Sequence, residues 1–124
     1  MNKYEELFRE IFISTKNGLM QWKQTKRDSN YEIVFSPNTV FRQFVSTLRR
    51  GDTEYKVLLL EKKFDDPEHD FAYQRYAPEV LIVDEGELIA SLTDSVIDRS
   101  DLVSLAGIVE SRSDKARKLF GGGV

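Results

Sequence analysis

Tyr4, Leu7, Phe8 and Ile11 recur at i, i+3, i+4 and i+7. That spacing lines one face of a helix. Asn2 is placed to cap it, Glu5 and Glu6 suit the positive end of its dipole, and Asn17-Gly18 offers a left-handed stop. Beyond the stop the period changes. Leu19–Thr25 alternates as a strand, Lys26–Asn30 reads as a polar turn, and Tyr31–Phe35 reads as a second strand closed by Ser36-Pro37-Asn38. The next segment, Thr39–Leu48, fits two patterns. Val40, Phe41, Phe44, Val45 and Leu48 would line a helix, yet the segment is rich in β-branched and aromatic residues. It also leads through Arg49-Arg50-Gly51-Asp52 into the strand Tyr55–Leu60. It is therefore read as the first arm of a hairpin.

A loop is expected from Phe64 to Pro78. After it, Glu79–Asp84 and Glu87–Leu92 flank Glu85-Gly86, the clearest hairpin signal in the chain. A C-terminal helix opens near Asp98 or Ser100, with Leu102, Leu105, Ala106 and Val109 on one face and a re-cap at Ser113. The order predicts an α+β fold: an antiparallel β-meander of about six strands packed by an N-terminal and a C-terminal helix. Helices on one face would leave the other sheet face wet, or free for a partner. With no repeat and no low-complexity linker, residues 1–120 read as one domain and 121–124 as a flexible Gly-rich tail.

Thr15, Gly18, Leu19 and Trp22 form a Thr-x-x-Gly turn with a Trp soon after it. With the hairpin Val83–Leu88, they give the chain an outline similar to that of small bacterial helix-plus-antiparallel-meander domains. The resemblance implies the fold and the strand reading of Thr39–Leu48. It implies no activity.

Composition narrows the chemistry. The 124 residues include no Cys, which excludes disulfides, zinc–thiolate sites, iron–sulfur clusters and thiol catalysis. A cytoplasmic setting fits that lack. The first residues, Met1 to Glu6, lack the pattern of a signal peptide. The longest apolar run is Val57–Leu60, far short of a membrane span, and no membrane partner is expected. The net charge of −3 is uneven: residues 1–62 carry 11 Lys and Arg against 8 Asp and Glu, and residues 63–124 carry 7 against 13. Such polarity suits head-to-tail or dimeric association.

No catalytic constellation is legible. His69 is the only His, so it alone would have to serve imidazole acid–base chemistry. Neither a nucleophile elbow nor a Gly-rich phosphate loop is present. The acidic run Asp65–Asp70 lacks the Gly of an EF-hand and reads as a solvated loop, so no metal and no cofactor are expected. Arg42, Arg49, Arg50, Lys23, Lys26 and Arg27 near Trp22 and Tyr31 could form a basic-aromatic surface, but a pI near 5.2 argues against nucleic acid. The best small-ligand candidates are Phe71, Tyr73, Arg75 and Tyr76, aromatics with one anion-gripping cation in the long loop. Trp22 reads as a structural anchor between the first strand and the N-terminal helix. The leading expectation is a non-enzymatic interaction domain that forms a homodimer through its sheet face or edge and engages a further protein partner. The alternative is a small-ligand binder using the Phe71–Tyr76 loop.

Overall fold

The computed structural model describes residues 2–25, 40–65 and 74–121, with the side chains of 40, 41, 63–65 and 74–76 left aside. Helix α1 spans Lys3–Lys16. Asn2 caps it: the Asn2 side-chain oxygen accepts the Glu5 N–H at 2.9 Å. Gly18, at φ +78, turns the chain out of the helix. The N–H groups of Leu19 and Met20 then both donate to the Ser14 carbonyl. Residues 19–22 are thus spent on the return along α1, and strand β1 covers only Lys23–Thr25 rather than the expected Leu19–Thr25.

Strands β2 (Val40–Arg50), β3 (Thr53–Asp65), β4 (Gln74–Asp84) and β5 (Glu87–Leu92) complete an antiparallel sheet in the order β1-β2-β3-β4-β5. The sheet has five strands among the described residues, not about six. The other expected strand, Tyr31–Phe35, lies outside them. Thr39–Leu48 does form a hairpin arm: β2 meets β3 across the two-residue turn Gly51-Asp52, with Arg50 opposite Thr53. The β4–β5 turn has Glu85 at φ 50 and Gly86 at φ 84, two positive values in succession, as a type I′ turn requires.

Both ends of the expected loop over Phe64–Pro78 are strand, and residues 66–73 between them lie outside the described residues. Asp65 pairs with Gln74, Phe64 with Arg75, Lys63 with Tyr76 and Glu61 with Pro78. Pro78 suggests a loop, but here it lies within β4. At that point β4 has outgrown β5, whose last partner is Val80, so the missing N–H disrupts no second ladder. The lysine of a Lys62–Glu79 ion pair at 3.0 Å reaches across the β3–β4 ladder.

Helix α2 (Arg99–Arg112) and the short α3 (Asp114–Leu119) follow. Ser113 ends α2 and caps α3, its hydroxyl accepting from the Ala116 N–H. One hydrophobic cluster joins Phe8 and Ile11 of α1 and Leu102, Leu105, Ala106 and Val109 of α2. Trp22 joins them to the sheet residues Phe44, Val57, Leu59, Val80, Ile82 and Leu92. The opposite face is neither wet nor open at its centre: Leu58, Leu60, Leu81 and Val83 form a second buried cluster with Val45. The reason is visible in β3 and β4, whose runs Val57–Leu60 and Val80–Val83 are apolar at consecutive positions. Alternation would leave one face polar; an unbroken run buries both.

Candidate interaction surface

A sheet of five strands in sequence order leaves two edges, β1 and β5. They are treated differently. Asp114, the first residue of α3, lies against β1. Its N–H donates to the Trp22 carbonyl at 3.3 Å, and its carboxylate accepts the Gln24 N–H at 2.9 Å. The Gln24 N–H, more than any other contact, holds the Asp114 carboxyl below the usual carboxylate range. Here two of the backbone groups that an extra strand would use, the Gln24 N–H and the Trp22 carbonyl, are already engaged.

Among the described residues, β5 has β4 on one side and no strand on the other. The register slips between Ile82, opposite Ala90, and Val83, opposite Leu88. Ile89 is therefore a bulge residue without a cross-strand partner. As a result Leu88 and Ile89 are exposed side by side, at 43% and 54%. The bulge confines irregularity to the hairpin end, and Ala90–Leu92 continues in register.

The β2–β3 register slips between Val40 and Arg42, and a charged group lies there. The Arg42 guanidinium reaches both the fully buried Glu61 carboxylate at 3.1 Å and Glu110 of α2 at 2.8 Å. It ties sheet to helix at the base of an open groove of about 410 Å³ lined also by Phe44, Lys115 and Leu119. Of the expected basic-aromatic surface, Lys26, Arg27 and Tyr31 lie outside the described residues. Trp22 is buried, Arg42 is bound as above, Arg49 lies 3.9 Å from Glu54, and Arg50 lies 2.9 Å from Glu10.

Of the four ligand-site candidates, Phe71 and Tyr73 lie outside the described residues. Arg75 and Tyr76 are strand residues of β4, not loop residues. Most of the acidic run, with His69, also lies outside. Among the described residues no group of three or more His, Cys, Asp or Glu could hold a metal, and no helix is long and apolar enough to cross a membrane. Trp22 is only 3% exposed, and its indole N–H donates to the buried Thr15 hydroxyl at 3.0 Å. The β5 edge escapes a reading by alternation. Its signal is the pair Leu88-Ile89, two large apolar residues in succession where a half-buried strand should alternate.

No family model matches the chain, and no curated protein or solved structure matches it.

Proposed function

We propose that the protein is a non-enzymatic interaction module that self-associates by pairing β5 with β5 of a second copy. The observation that carries this reading is the asymmetry of the two edges: β1 is capped by Asp114, while β5 ends the sheet with Leu88 and Ile89 exposed beside it. Of the surfaces that a meander offers a partner, the sheet faces have buried centres and the β1 edge is engaged. Antiparallel pairing about a two-fold axis would satisfy the outer backbone groups of both β5 strands and cover Leu88 and Ile89 together.

Light scattering at micromolar concentration tests it. The parent should give about twice the chain mass of 14.4 kDa. Leu88→Lys with Ile89→Lys should give the monomer mass, because like charges would face each other across the axis. A monomeric parent at high concentration, or a doubly substituted chain that stays dimeric, would contradict the reading.

A further inference from the structure

Helices α1 and α2 finish at the same end of the molecule. Arg112, in the last turn of α2, donates to the terminal carbonyls of α1 at Thr15 and Lys16, at 3.0 and 2.7 Å. Asp114 then fixes α3 beside β1 at this end. The arrangement gathers Lys16, Lys23, Arg112, Lys115, Arg117 and Lys118, all exposed. Nearby acids are engaged, Asp114 by the Gln24 N–H and Glu110 by Arg42. The two helix C-termini offset about one unit of the positive charge.

Next to these cations are the three most exposed large hydrophobic side chains among the described residues: Leu19 at 78%, on the turn at this end, and Leu119 at 77% and Phe120 at 67%, on the rim of the groove lined by Phe44 and Lys115. Leu19 sits on the turn after α1; Leu119 and Phe120 end α3. None of the residues of α3 is buried, so the helix stands on the surface and is not part of the core. At the other end, Glu5 and Glu6 open α1 and Asp98 and Asp101 open α2. Lys3, Arg9 and Arg99 lie among those acids, so the concentration of a single sign of charge is confined to the end where the helices finish.

We propose that this end is a peripheral docking surface for an anionic lipid bilayer. The cations lie at headgroup level, and Leu19, Leu119 and Phe120 enter the acyl boundary. Two separated apolar tips set among cations suit an interface with hydrocarbon beneath charge. Two of the three apolar side chains are leucines, which offer nothing to stack on a base, and Phe120 alone makes no stacking platform. The lack of a spanning segment, which led to the expectation of no membrane partner, concerns insertion of a helix; adsorption needs only a patch.

Co-sedimentation of the full chain with phosphatidylcholine vesicles, with and without phosphatidylglycerol, tests this. Binding should require phosphatidylglycerol and weaken with added salt. Lys115→Glu with Arg117→Glu should lower partitioning about tenfold or more. Leu119→Ser with Phe120→Ser should lower it about tenfold with the circular-dichroism spectrum unchanged. No binding to the anionic vesicles, equal binding to both compositions, or parent-like binding by both variants would overturn the proposal, as would binding to RNA in place of vesicles.

Discussion

Trp22 shows how much one side chain settles in a domain of this size. Its ring lies in the cluster that joins α1, α2 and the sheet, and its one polar atom is satisfied by Thr15. Truncation to Ala removes both the packing and the filler of the resulting cavity, so Trp22→Ala should cost roughly 3–5 kcal/mol in denaturant unfolding. Thr15→Val keeps the shape but leaves the indole N–H buried without an acceptor. It should cost about 1–2 kcal/mol. Native fluorescence should report a water-shielded indole; emission typical of exposed Trp, with unchanged midpoints in both variants, would refute the account. The position of Trp22 is legible in the sequence, because Met20 and Trp22 alternate with Leu19 and Gln21 just after the Gly18 turn. Its partner is not legible. Thr15 lies on a helix, and only the path of residues 19–22 brings its hydroxyl under the ring. The Arg42–Glu61–Glu110 group is hidden for the same reason: its members lie on β2, β3 and α2, and no local pattern links them.

The turns were the most readable elements, since their chemistry is local. Glu85-Gly86 and Gly51-Asp52 carry the residues that two-residue hairpins demand. The first carries a cost: Glu85 holds φ 50, a region that suits Asn better than a longer side chain. Glu85→Asn should therefore raise stability by about 0.5 kcal/mol in urea unfolding; a loss of stability would contradict the turn assignment. Strand length and face were less readable. Pro78 masked the extension of β4, and the consecutive apolar residues of β3 and β4 encode a doubly buried sheet centre that alternation does not express. The latch between α3 and β1 is invisible in sequence, because Gln24 and Asp114 are remote along the chain. It has a pH signature. The native Asp114 carboxyl lies below its ordinary value of 3.8. Its contribution to stability is thus fully present above that value and lost as pH falls through the lower native one. Acid titration of the parent and Asp114→Asn should show that the variant loses less stability over that interval. Parallel profiles would rule out the latch.

At the scale of the molecule, charge and edges define two separate poles. The sequence halves differ in sign, but the fold gathers cations where the helices finish: Lys16, Arg112 and the cations of α3 lie together there, while the acids of the helix starts are mixed with Lys3, Arg9 and Arg99. Summed charge could not reveal this, since α1 and α2 each contribute to both ends. The two sheet edges are likewise distinguished by tertiary contact, not by strand composition. Self-association through β5 is the central claim, and amide hydrogen exchange measured across a range of protein concentrations tests it most directly. Pairing predicts that residues 87–92 become more protected as concentration rises, while residues 23–25, already held by Asp114 and β2, do not change. Protection of β5 that is independent of concentration, or a concentration dependence that appears at β1 instead, would contradict it.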